Sequence, residues 1–106
     1  MIRLTLAASA LLCGISLAHA DDSASITIRN HHFEPSTITV KAGVKVHLSV
    51  TNAGTEPAEF ESSELNREKV IPPGATVSIY VGPLAPGTYP FYDDFDQANT
   101  GKIVAK

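Results

Sequence analysis

The sequence predicts an all-β domain, a sandwich of seven to eight strands with no helix beyond a turn or two. Three observations predict it. Apolar and polar side chains alternate at period 2 through nearly every long run, turn residues separate those runs at short intervals, and no stretch sustains a helical period.

The first segment stands apart. Met1-Ile2-Arg3 supplies a positive charge, Leu4 to Leu17 is an apolar run, and Ala18-His19-Ala20 offers small residues before Asp21-Asp22. That is the layout of a secretory signal peptide, and the run is too short to span a bilayer. The expected organisation is a signal peptide at residues 1–20 and one domain at residues 21–106, exported to the periplasm. Cleavage after Ala18 instead of Ala20 would expose His19, whose amino group and imidazole together chelate copper.

The strands follow in order. Ile26 and Ile28 flank Thr27, Phe33 opens the next run, and Ile38 and Val40 flank Thr39. Val44, Val46, Leu48 and Val50 face one way while Lys45, His47 and Ser49 face the other. Val77, Ile79 and Val81 repeat the pattern, and Tyr89, Phe91 and Ile103 complete the expected inner faces. Turns fall at Ala42-Gly43, Asn52-Ala53-Gly54, Pro72-Pro73-Gly74 and Pro83 to Gly87. Glu64 to Lys69 has room for one helical turn. The strand ending at Val40 is expected to pair antiparallel with the one ending at Asn52.

Composition then removes several kinds of chemistry. Cys13 and Met1 are the only residues of their kind, and both precede residue 21. The remaining domain has no disulfide, thiolate nucleophile, iron–sulfur cluster or Cys-ligated zinc. Loss of Arg3 moves the formal net charge from −3 by one unit to −4. An acidic chain without a basic run points away from nucleic acid and from stable membrane insertion. No nucleophile elbow or Gly-rich phosphate loop is present, so no catalytic residue is assigned.

The order of segments is more telling than any single motif. Phe33-Glu34-Pro35, the strand to Val40, Lys41-Ala42-Gly43 and the long strand to Asn52 resemble the front half of a cupredoxin. Gly87-Thr88-Tyr89-Pro90-Phe91-Tyr92, a short polar loop and Gly101-Lys102-Ile103-Val104 resemble the back half. This resemblance implies a cupredoxin-like Greek-key sandwich. Blue-copper proteins place a His after the Asn-terminated strand and a Cys–His–Met set in the late loop. Here Glu59 stands near the first position, with Asp93, Asp96 and Thr100 or Gly101 near the others. Type 1 blue copper is therefore not expected.

A narrower likeness rests on Glu59-Phe60-Glu61-Ser62, the segment Glu64 to Val70, Gly82-Pro83-Leu84 and Pro86-Gly87-Thr88-Tyr89. These are similar to the small cupredoxin-like periplasmic proteins of bacterial iron-uptake operons, over about Ile26 to Val104. The resemblance implies a metal-binding accessory protein beside a membrane iron permease and other periplasmic iron-uptake components. It would bind an iron or copper ion and assist Fe(II) oxidation or delivery. Relatives commonly read Phe-Phe-Gly-Glu-Phe followed by His or Asn. The present Phe91-Tyr92-Asp93-Asp94-Phe95-Asp96 is more acidic.

Cupredoxin connectivity would bring the loops near Glu59 and Asp93 to one end, making Glu59, Glu61, Asp93, Asp94 and Asp96 candidate metal ligands. Their hard oxygens suit Fe(III), Mn(II), Mg(II) or Ca(II). Alternation with Tyr89 and Phe91 turns Asp93 inward, where an ionised carboxylate is costly unless a cation, hydrogen bonds or water answer it. Asp93 is thus expected to weigh more in metal binding than Asp94, which points to the opposite face or into the loop. The alternative is that Arg67 and Lys69 neutralise part of the cluster and water solvates the rest. His31 and His32 lie toward the same end, where one of them adds an imidazole suited to Cu(II). A rival function is accordingly a periplasmic copper carrier using His31, His32 or an exposed His19. Another is a metal-free interaction module, and the enzyme reading is ferroxidase activity or its support. His47, between Lys45 and Ser49, is read as a surface residue.

Overall fold

Alternation decides which side chains lie inside, and the computed structural model, which describes residues 21–106, places them between two sheets. Nine strands form: β1 (Asp22–Arg29), β2 (His32–Glu34), β3 (Thr37–Val40), β4 (Val46–Asn52), β5 (Ala58–Ser62), β6 (Arg67–Ile71), β7 (Thr76–Val81), β8 (Gly87–Asp93) and β9 (Asp96–Ala105). No helix occurs among the described residues. One sheet runs β2-β1-β4-β7 and the other β3-β9-β8-β5-β6. The signal-peptide reading, the choice between Ala18 and Ala20, and His19 lie outside the described residues.

β4 shows the pattern most strictly. Val46, Leu48, Val50 and Asn52 are buried, and His47, Ser49 and Thr51 form the outer row. Ile26, Ile28, Ile79 and Val81 extend this inner face, which packs against Ile38, Val40, Phe60, Phe91, Ile103 and Ala105 of the other sheet. Each such Val, Leu, Ile or Phe side chain contributes on the order of 1.5–3 kcal/mol through burial. Phe33, Phe60 and Phe91 meet at the centre. Phe33 stands edge-on to Phe91 at 4.8 Å between centroids, while Phe60 stacks on Phe91 at 4.9 Å. Of the expected inner-face residues, Val77 and Tyr89 are only half-buried, and the Tyr89 hydroxyl donates to the Ala85 carbonyl at 2.8 Å.

Gly101 is required by this packing. It lies opposite Phe91 in the β8–β9 pair, and a Cβ there would collide with the Phe91 ring and sit 2.8 Å from the Ser36 carbonyl oxygen. That oxygen already accepts the Lys102 N–H at 2.8 Å, so it cannot withdraw without breaking the ladder. Gly101→Ala is expected to destabilise the domain by about 1–3 kcal/mol through overpacking. A shift of the urea midpoint at unchanged slope would register it.

Three local features differ from the sequence expectations. The segment from Glu64 does not form a helical turn leading nowhere: Leu65 is buried, Asn66 takes a left-handed φ of 52°, and Arg67–Ile71 extends as an edge strand. This hairpin takes the strand count to nine. β3 does not pair with β4. Gly43, at φ 78°, carries the chain across to the other sheet, so β3 pairs in parallel with β9 and β4 in parallel with β1. Finally, the polar stretch after Asp93 is a tight turn, since β9 already begins at Asp96.

Candidate metal centre

Asn52 begins the construction of the site. Its side chain is 1% exposed and fully used: Nδ2 donates to the carbonyls of Glu56 (2.7 Å) and Ile71 (3.0 Å), and Oδ1 accepts the Gly54 N–H (2.9 Å). These bonds pin the loop that delivers the chain into β5. Within β5, Phe60 points into the core, so Glu59 and Glu61 share the outer face.

Register supplies the rest. Glu59 lies opposite Val70 and Glu61 opposite Glu68 on β6, while Glu61 lies opposite Tyr92 on β8. One step further the Asp94 N–H donates to the Glu59 carbonyl at 2.9 Å, which sets Asp94 beside Glu59 on the same outer face. Carboxylate oxygens of Glu59, Glu61 and Asp94 all come within 4.8 Å of one another. Glu59 is 6% exposed, and its Oε1 is buried with no hydrogen-bond partner.

Three acidic groups this close cannot all ionise at low cost. Hydrogen bonding to Glu68 is the largest effect on Glu59, followed by burial and the charges of Glu68, Asp94 and Glu61, and together they push its pKa from 4.5 to about 7. The Tyr92 phenol is also pushed up, by burial first and then by Glu61 and Asp94. No cation answers the cluster among the described residues. Arg67 spends its guanidinium on the carbonyls of Tyr80, Leu65 and Asn66. Lys69 lies opposite Phe60 rather than the glutamates. The ion pairs found are Arg29–Glu34 and His31–Asp96.

The structure thus divides the sequence candidates between two places. Glu59, Glu61 and Asp94 come together on the outer face of the five-stranded sheet. Asp93 is buried at 5% exposure on the inner side, where its Oδ1 accepts the N–H groups of Glu59 (2.9 Å) and Phe95 (3.0 Å). It shapes the turn and is not part of the cluster. Asp96 lies at the end of the sandwich with its Oδ2 3.1 Å from His31 Nδ1, beside a cavity of about 650 Å³ that Asp93 and Phe95 also line. His32 flanks the core residue Phe33 and faces outward on the other sheet, opposite Arg29. His47 bonds Ser78 Oγ at 2.9 Å and stacks on Tyr80, as a surface residue does. Glu68 and Tyr92, which sequence reasoning does not nominate, complete the outer-face cluster. Parity could have found Tyr92, because it alternates with Phe91; Glu68 needed the β5–β6 register.

The donor set fits a hard cation and does not fit blue copper. Residues 21–106 hold no Cys, and the cluster holds no imidazole. The surrounding fold is nevertheless shared with copper proteins. The metal-binding domain of the Streptococcus pneumoniae Cu(I)-exporting P-type ATPase CopA superposes with a TM-score of 0.73 at 16% identity, covering 86% of this chain and 91% of that one. Auracyanin A, a "blue" copper protein from Chloroflexus aurantiacus, gives 0.70 at 14% identity over 82% of this chain and all (100%) of that one. A purple cupredoxin from Nitrosopumilus maritimus gives 0.64 at 18% identity over 78% and 99%. At such identities the likeness is one of fold. In sequence, an "uncharacterized protein" of Rickettsia prowazekii is 40% identical over 72 residues, 68% of this chain and 58% of that relative's length. The model of the cupredoxin-like domain family matches residues 2–105. With two sheets packed as in solved cupredoxins and a family match over nearly its whole length, the chain belongs to the cupredoxin-like domain family.

Proposed function

We propose that this domain is a metal-binding accessory protein of iron uptake, holding iron at Glu59, Glu61 and Asp94 before delivery to a membrane permease. Export to the periplasm, by the signal-like residues 1–20, belongs to the same proposal. One observation carries it: Glu59 Oε1 is buried without a partner among carboxylates that no side-chain cation of the described residues neutralises. An unanswered buried acceptor in an anionic cluster is costly, and a bound cation answers it. The metal would supply charge neutralisation and, if iron, a redox couple. The protein's own part is to hold the oxygens at fixed spacing on a rigid sheet, with Glu59 fixed by its strand and Asp94 by the tight turn after β8. Support of Fe(II) oxidation is the corresponding enzymatic role, and stopped-flow oxidation of Fe(II) reads it.

Calorimetric titration with Mn(II), a non-oxidising stand-in for Fe(II), tests the site. Wild type is expected to bind, and Glu61→Ala and Asp94→Ala to weaken binding by about tenfold or more. Asp96→Ala should leave it unchanged. Equal binding by all three variants and wild type would place the metal elsewhere.

A second reading has its own observation. The His31–Asp96 pair at 3.1 Å sits at the rim of the end cavity and joins an imidazole to a carboxylate, a donor set that suits Cu(II). In that reading the domain is a copper carrier, and a Cu(II) titration that responds to His31→Ala but not to Glu61→Ala favours it.

A further inference from the structure

We propose that the phenol oxygen of Tyr92 is a fourth ligand of the Glu59–Glu61–Asp94 site, and that the ion the site holds is Fe(III). The inference rests on the iron-binding reading above and extends it to a residue and an oxidation state.

Strand register makes the case. Glu61 is opposite Tyr92 and Glu59 is opposite Asp94, so the four side chains occupy the corners of one rectangle on one face of the sheet. Directly opposed Cβ atoms in such a pair are about 4.5–5.5 Å apart, within reach for side chains of this length to meet over a single ion. Packing does not explain the tyrosine. The inner row of β8 fills the core with Phe91, whereas Tyr92 stands half-buried on the outer face, where the hydroxyl has acidic neighbours. Its neighbour on β9, Thr100, adds no charge.

The chemistry then selects the ion. Three carboxylates and a phenolate are four hard anionic oxygens, a set that stabilises a trivalent cation more than a divalent one by simple Coulombic attraction. Copper(II) would find no imidazole or thiolate in the rectangle. Ligation breaks the Tyr92 O–H bond and forms an O–Fe bond, and the proton passes to water. In this ligation step the iron is Fe(III) before and after, so no oxidant or reductant takes part.

A phenolate bound to Fe(III) has a signature that carboxylates lack: a visible charge-transfer band whose resonance Raman spectrum contains phenol ring modes. Wild type loaded with Fe(III) from ferric nitrilotriacetate is expected to show both. Tyr92→Phe keeps the ring and the fold, which its circular dichroism and urea midpoint check. It is expected to lose the band and to bind Fe(III) about tenfold or more weakly. A band that survives in Tyr92→Phe would overturn the proposal. So would a wild type that binds both Mn(II) and Fe(III) without the band, and the carboxylate site would then stand alone. A wild type that binds neither ion would overturn the iron-site reading and this inference with it.

Discussion

Asp93→Ala is expected to destabilise the domain by about 2–4 kcal/mol, because two backbone N–H groups lose their acceptor and each costs about 1–3 kcal/mol when left unpaired. The carboxylate stands in for a ladder partner at the end of β8. The Glu59 N–H donates to Asp93 Oδ1, although Asp94 returns the expected strand bond to the Glu59 carbonyl. The same oxygen takes the Phe95 N–H and closes the turn into β9. Asp93→Asn retains an Oδ1 acceptor and should recover most of the loss. Urea unfolding of the three proteins measures it. An Asp93→Ala variant as stable as wild type would mean that water replaces the carboxylate. The variant's Mn(II) affinity, measured below the temperature at which it unfolds, should fall less than that of Asp94→Ala. This reverses the ordering the sequence suggests, and the reason is geometric: the inward carboxylate is satisfied by backbone donors, and the outward one joins the glutamates.

The sandwich was legible because its signal is local. Val46, Leu48 and Val50 alternate with His47, Ser49 and Thr51, and such a row has only one way to bury its apolar face. Asn52 and Gly43 marked strand ends for the same reason. Which strands pair was not legible, since parallel pairing of β1 with β4 and β3 with β9 joins residues far apart in sequence. β6 carries no periodic signal, because its burial pattern is four exposed residues and one buried, which is an edge strand's pattern.

The candidate site was half legible. Acidity of the two segments pointed to Glu59, Glu61 and Asp94, and each is in the cluster. Parity around Phe60 already places Glu59 and Glu61 on the outer face, and parity around Asp93 places Tyr92 and Asp94 together. Cupredoxin ligand positions instead correspond to the loop end, where Asp93, Asp96 and His31 lie. What parity could not give is the β5–β8 register, which decides that the two outer rows meet.

Glu59→Gln is expected to flatten the pH dependence of stability and to weaken metal binding by about tenfold or more. Glu59 holds its proton up to about pH 7 in the folded protein and, unfolded, releases it near 4.5. Between those values the folded state binds the extra proton, so stability falls as pH rises through the window; below 4.5 both states are protonated and the effect vanishes. Glutamine carries no titrating proton and keeps a donor toward Glu68. Wild type and variant should therefore have similar urea midpoints at pH 4, and the variant should be the more stable at pH 8. Added Mn(II) tests the cause. A cation that neutralises Glu59, Glu61 and Asp94 should raise the wild-type midpoint at pH 8 and narrow the gap to the variant, which gains less. Parallel pH curves for the two proteins would show that Glu59 is already ionised near its ordinary value in the fold. The buried Oε1 would then need a different partner from the cation assigned to it here.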